Sequence, residues 1–334
     1  MPSCFRALAL TLTVSLALAV AGCAPQRIML PGPMIAVAEL NHTHIATRDG
    51  AALPMREWRP QGPPQAVVVA LHGFNDYSNS YDTVGPFLSS RGLAVYAYDQ
   101  RGFGRGPHPG YWPGGRALAD DVAQVARLAA TRHPGLPVYL LGESMGAAVI
   151  ILAMTGERPP PVAGVILSAP AVWGRSTMNV FQRAGLWVAA NTLPGMKLSG
   201  RGLDIRPSDN IEMLRALSKD PLVIKETRVD AIAGLVDLMD EALASAGRLA
   251  VPALVLYGEK DEVVPPAPTW RMMRSLPGPA AGQRLALYPE GFHMLMRDLQ
   301  ADVVLQDIAT WIANPAAPLP SGADRRAARV LNGD

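Results

Sequence analysis

Short runs of uninterrupted apolar residues mark the chain at positions 66–71, 93–98, 138–141 and 162–167. None alternates with polar residues, and Gly, Pro, Asp or His bounds each one. That pattern predicts strands buried on both faces, as in a parallel sheet. Helical periods lie between them. Leu118, Val122, Val125, Leu128 and Ala129 share one face within 114–133, and Pro134 follows its end. A wholly apolar helix is predicted at 147–153. Ahead of these units, 42–47 and 53–58 read as an antiparallel hairpin around Asp49-Gly50. His42 and His44 alternate on one face of that hairpin, with no third metal ligand in the pattern, so they are read as surface strand residues. Strands alternating with helices indicate a mostly parallel, doubly wound α/β sheet.

After the sixth strand the alternation stops. Residues 173–246 hold no buried-strand pattern but carry helical ones at 180–190 and 229–243. A helical cap is therefore expected over 171–248. Alternation resumes with strands at 251–258 and 284–288 and a closing helix at 295–311. The core is thus expected at 41–170 and 249–313. Residues 314–334, rich in Pro and Ala and then basic, are expected to be a disordered tail.

Composition narrows the function. The chain has 334 residues, 49% hydrophobic and 17% charged, with a formal net charge of +2. That is enough apolar material for a large core. It gives no electrostatic case for binding nucleic acid. The N-terminus reads as a targeting segment: Arg6, then an apolar stretch at 7–21 too short to span a bilayer comfortably. It ends in Val20-Ala21-Gly22-Cys23, which resembles the bacterial lipoprotein signal. The resemblance implies a signal peptide at 1–22, a lipidated Cys23, a tether at 23–40, and anchorage in the cell envelope. Ala24, where Asp would retain the protein at the inner membrane, implies the outer membrane facing the periplasm. Cys4, the only other cysteine, falls within the removed segment, so no disulfide is expected.

The chemistry centres on Gly142-Glu143-Ser144-Met145-Gly146, a G-x-S-x-G elbow between an apolar strand and an apolar helix. Such a turn lifts the Ser144 hydroxyl to the strand's C-terminal end, beside a helix N-terminus that favours negative charge. A serine nucleophile needs a base, and the base needs an orienting acid. His293 is the only histidine after Ser144, in the loop after the last strand. Asp261 lies just past the preceding strand and is the acid of choice, with Glu259 and Glu262 as rivals.

His72-Gly73-Phe74, Asp99-Gln100-Arg101-Gly102-Phe103-Gly104, the elbow, the 256–265 stretch and Gly291-Phe292-His293 together resemble the monoacylglycerol lipase/lysophospholipase group of serine α/β-hydrolases. The resemblance runs over about 53–311. It implies Ser144, Asp261 and His293 as the catalytic triad. It implies backbone N–H donors at Phe74 and Met145 for the oxyanion, and no metal or cofactor. His72 is read as shaping its loop, and Asp99 and Arg101 as pairing to brace theirs. Glu143 departs from the group, many of whose members carry His there. The expected activity is hydrolysis of monoacylglycerol, lysophospholipid or similar acyl esters at a membrane. An aminopeptidase or amidase on the same scaffold is the near rival, since cap carboxylates (Glu212, Glu226, Asp230, Asp237, Asp240, Glu241) would suit a substrate amine. A non-catalytic lipid-binding envelope lipoprotein is a third reading. The sequence leaves the oligomeric state open.

Overall fold

The computed structural model describes residues 27–200 and 202–332. The signal peptide and Cys23 lie outside the described residues. Strands β1 (Glu39–Leu40), β2 (His44–Ala46), β3 (Ala52–Trp58), β4 (Ala66–Leu71), β5 (Leu93–Tyr98), β6 (Val138–Glu143), β7 (Gly164–Ser168), β10 (Ala253–Gly258) and β11 (Gln283–Tyr288) form one sheet. Their order is β1-β2-β3-β5-β4-β6-β7-β10-β11. The six strands from β5 to β11 are parallel, and β1, β2 and β3 add an antiparallel edge. The expected mostly parallel α/β sheet is what the chain forms.

Burial on both faces explains the continuous apolar runs. In β4, Val67, Val69 and Leu71 enter one core while Ala66, Val68 and Ala70 enter the other. The first core is covered by α2 (Gly115–Arg132) and α3 (Met145–Thr155), the second by α1 (Val84–Ser89) and α8 (Ala301–Ala313). Trp311 of α8 is fully buried and fills the space left by the missing side chain of Gly164.

Between β7 and β10 come α4 (Val180–Thr192), α5 (Ile211–Lys219), α6 (Val229–Ser245) and a two-stranded antiparallel ribbon, β8 (Lys197–Ser199) with β9 (Glu226–Arg228). The cap thus contains strands that the burial pattern did not predict, because both are short and neither contains a buried residue. Helix α6 also departs from expectation. Its Ala231, Val236, Leu238, Met239, Ala242 and Leu243 pack into the first core, so it extends the core layer rather than the roof.

The first and last described segments are more tightly held than their composition suggested. From Arg27 the expected tether is tied down: Met29 N–H donates to the Trp112 carbonyl, Gly32 N–H to Asp49, and Ile35 N–H to the Arg48 carbonyl. The expected disordered tail instead forms α9 (Ala323–Asn332), after α7 (Pro266–Ser275) and α8. Leu319, Ala323 and Ala327 bury, Arg284 pairs with Asp324, Arg326 pairs with Glu259, and Ser321 donates to Asp307. A few small apolar contacts and these pairs order a segment that polar composition alone marked as free. The closing helix α8 also starts six residues later than predicted, because residues 292–298 form a closed loop.

Candidate active site

Ser144 sits between β6 and α3 with φ 53° and ψ −113°, a region that L-residues rarely occupy. The surroundings hold it there. Its N–H donates to the Ser168 carbonyl at 2.9 Å, and its carbonyl accepts from Ala171 N–H at 3.1 Å. The flanking glycines are steric necessities. A Cβ on Gly146 would strike the Leu71 carbonyl, and one on Gly142 would strike the backbone of Gly146 and Ala147. Ser144 is half-buried, whereas every neighbour from Val138 to Met154 is buried.

The loops after β10 and β11 are joined side by side. Glu259 N–H donates to the Tyr288 carbonyl and Lys260 N–H to the Gly291 carbonyl, both at 2.9 Å. On these loops His293 Nδ1–H donates to Asp261 Oδ2 at 2.8 Å. Asp261 Oδ1 is held by the N–H groups of Val263 at 2.8 Å and Val264 at 2.9 Å. Both side chains are buried. Burial lowers the imidazole's affinity for a proton, but the charge of Asp261 and the hydrogen bond to it outweigh burial, so the His293 pKa lies above its ordinary value. The rival acids are engaged elsewhere: Glu259 with Arg326, and Glu262 with Arg206 N–H.

His72 shapes the loop after β4. Its Nδ1 lies 2.8 Å from the Gly73 carbonyl and therefore carries the proton, while Nε2 accepts Gln100 N–H at 3.0 Å. That arrangement suits only the neutral ring, and burial holds its pKa below the ordinary value. With the Gly73 carbonyl turned toward His72, planarity of the trans peptide points the Phe74 N–H the opposite way. Gly73 lies against Ser144, since a Cβ there would be 3.5 Å from the Ser144 Cβ. Met145 is the first residue of α3, where an N–H has no partner within the helix.

The loop after β5 is braced differently from expectation. Asp99 accepts Ser78 N–H and Arg105 N–H at 3.0 and 2.9 Å. Arg101 instead joins Asp49 at 2.7 Å and Asp121 at 2.6 Å. Burial pushes the Asp121 carboxyl up to about 6 against the pull of Arg101.

The sequence reading missed Arg297, Glu143 and Asp76 as a group. Arg297 donates to Asp76 Oδ2 at 2.8 Å and to Glu143 Oε1 at 2.6 Å, with all three buried. A signal was present: a carboxylate at the end of a wholly buried strand demands a partner. Among the described residues no group of three or more His, Cys, Asp or Glu is arranged to hold a metal ion. His42 instead faces Glu57, Arg59 and Arg132, and His44 faces Asn41.

Cap segments close over these loops. Asn75 Nδ2 donates to Thr227 Oγ1 at 2.6 Å, Ile224 N–H to the Asn75 carbonyl, and Met294 N–H to the Pro207 carbonyl. Of the carboxylates that would suit a substrate amine, Asp230 is paired with Arg228, Asp237 and Asp240 with Arg175, and Glu241 with Arg116.

Comparison with known proteins identifies relatives of this chain. The profile of the family described as serine aminopeptidase, S33 matches residues 62–300. A monoacylglycerol lipase of Mycolicibacterium smegmatis is 30% identical over 268 residues, covering 77% of this chain and 91% of that protein. A monoglyceride lipase of Rattus norvegicus is 28% identical over 82% of this chain and 91% of its own length. Among solved structures, a soluble variant of the Saccharomyces cerevisiae monoglyceride lipase, in complex with a substrate analog, superposes with a TM-score of 0.69 at 20% identity. That match covers 86% of this chain and 99% of the other, and it speaks to the fold. With the family profile spanning most of the chain, this protein belongs to the serine aminopeptidase S33 family of α/β-hydrolases, in the group that contains the monoacylglycerol lipases.

Proposed function

We propose that the protein is a serine hydrolase of carboxylic esters, acting on monoacylglycerol, lysophospholipid or similar acyl esters through Ser144, His293 and Asp261. The observation that carries the reading is the buried His293–Asp261 pair, on loops at the same sheet edge as the strained Ser144 elbow. Asp261 fixes the Nδ1–H tautomer, which leaves Nε2 free to accept a proton. His293 then takes the Ser144 proton as the oxygen attacks the ester carbonyl. The Phe74 and Met145 N–H groups receive the oxyanion, and each such donor contributes about 10²–10³ in rate. His293 protonates the leaving alcohol, and water repeats the cycle to free the acid. No step calls for a metal or cofactor.

Two features support a lipid substrate. Relatives of this chain are named monoacylglycerol lipases. The cap also leaves Phe181, Trp187, Leu193 and Leu203 exposed, more apolar surface than a cap needs for its own packing. The anchor reading fits the same picture. Arg27 N–H bonds to Asp230, whose own N–H bonds to the Pro194 carbonyl at the foot of this apolar surface. Only three residues separate Arg27 from Cys23, at most about 14 Å of extended chain. A lipid on Cys23 would hold the cap against the outer membrane, on its periplasmic face. An aminopeptidase reading loses support because most of the cap carboxylates proposed for it are neutralised by arginines.

The test is hydrolysis of an ester panel by the purified protein: short p-nitrophenyl esters, monoacylglycerols, lysophospholipids and aminoacyl amides. Esters should be cleaved, and Ser144→Ala should lose about 10⁴–10⁶ in kcat. Amides cleaved faster than esters would favour the peptidase. No hydrolysis and no labelling of Ser144 by a fluorophosphonate would favour a binding protein.

A further inference from the structure

Arg297 lies four residues beyond His293, on the same loop, and is buried. Its planar guanidinium can join two carboxylates in one fixed geometry. Nη1 donates to Asp76 and Nη2 to Glu143. Asp76 closes the turn after β4, its N–H on the Gly73 carbonyl. Glu143 immediately precedes Ser144, and its Oε1 sits beside Gly73, 3.7 Å from where a Cβ would stand. One cation thus connects the loop of the base, the loop of the Phe74 N–H and the strand of the nucleophile.

The loop that carries His293 transmits this connection. Arg297 N–H donates to the Met294 carbonyl at 2.7 Å and Asp298 N–H to the same carbonyl at 3.0 Å. Asp298 Oδ2 accepts Phe292 N–H at 2.8 Å. Residues 292–298 therefore form a closed ring, and a shift of the guanidinium is passed to the imidazole. Stability alone is a weak reason for such a cluster, because apolar side chains of similar volume hold a fold at least as well as buried ion pairs.

We propose that Arg297 is a positioning residue: by bridging Asp76 and Glu143 it keeps the His293 imidazole and the Phe74 N–H in register with the Ser144 hydroxyl. This rests on the triad reading above and assigns that site its alignment. The charged groups acting on His293 are Asp261 from the β10 loop, Glu143 from the end of β6 and Arg297 from its own loop. Asp261 and Glu143 favour the protonated ring, and Arg297 opposes it.

The experiment uses the full-length protein in detergent micelles with a short, water-soluble ester. Arg297→Lys and Glu143→Gln are compared with wild type for kcat, KM, pH profile, thermal melting and the downfield NMR resonance of the His293 Nδ1 proton. Lysine keeps the charge but loses the fork. Arg297→Lys should lower kcat by about 10²-fold with KM changed by less than about twofold, the pattern of misplacement rather than lost binding. Glu143→Gln removes a charge that favours imidazolium, so the acid limb should move to lower pH and the resonance should shift. Wild-type kcat and resonance in Arg297→Lys, with only a lowered melting temperature, would reduce the cluster to a brace and overturn the proposal. Should Arg297→Lys fail to fold, an unmoved acid limb and resonance in the near-isosteric Glu143→Gln would overturn it equally. Absence of Ser144-dependent hydrolysis in wild type would instead sink the triad reading, and the resonance in Glu143→Gln would still decide whether the cluster governs the imidazole.

Discussion

Helices α3 and α4 are both rich in apolar residues, and the fold treats them in opposite ways. Every residue of α3 from Met145 to Met154 is buried. Along α4 only Ala190 is buried, while Phe181 is 84% exposed and Trp187 68%. In α3, apolar character on all sides reflects position: β4 and β6 lie beneath it, and α2 and α6 lie beside it. In α4 the same chemistry is left facing outward, where it contributes little to the stability of this chain. Hydrophobicity near the nucleophile thus builds the rigid support for Ser144, and hydrophobicity in the cap is available to something outside the protein.

The sharpest break of this contrast is Gly146→Ala. One methyl group on the second residue of α3 would meet the carbonyls of Leu71 and His72, backbone atoms of a central strand that cannot turn aside. A loss above about 4 kcal/mol is expected, at the exceptional end of single substitutions. Thermal and urea unfolding would report it, and a loss below about 1 kcal/mol would show that the elbow has slack. Ile150→Ala, midway along α3 and fully buried, should follow at about 2–5 kcal/mol through the cavity it leaves.

Those buried parts were also the parts legible in the sequence. The runs that became β4, β5 and β6 were readable because burial on both faces leaves no room for polar residues. The Ser144 elbow was readable because its two glycines are sterically enforced. The sequence ranked Asp261 ahead of Glu259 and Glu262 without excluding them, and of the three it is Asp261 that bonds His293. What the sequence did not disclose depends on partners far along the chain. Arg297 meets Glu143 across 154 positions and Asp76 across 221, and no local period records such a pairing. Arg101 likewise passes over nearby Asp99 for Asp49 and Asp121. Helix α9 was hidden for a different reason. Its buried positions are Ala323 and Ala327, too small to stand out against three arginines in the same helix.

The smallest effect on stability, and the most informative for α4, comes from Phe181→Ser and Trp187→Ser. Neither side chain is substantially covered, so unfolding should change by no more than about 0.5 kcal/mol for each. Kinetics with a short soluble ester should also be unaltered, because α4 lies outside the residues that hold Ser144, His293 and Asp261. A lipid surface changes the comparison. A large aromatic side chain that enters an apolar phase gains about 1.5–3 kcal/mol. Its loss should therefore weaken adsorption to vesicles, and hydrolysis of vesicle-borne monoacylglycerol, by about tenfold or more. Vesicle sedimentation measures the first quantity and product release the second. Equal activity of wild type and both variants on vesicles would mean that the outward apolar face of α4 has no part in reaching substrate, and the contrast with α3 would then be one of burial alone.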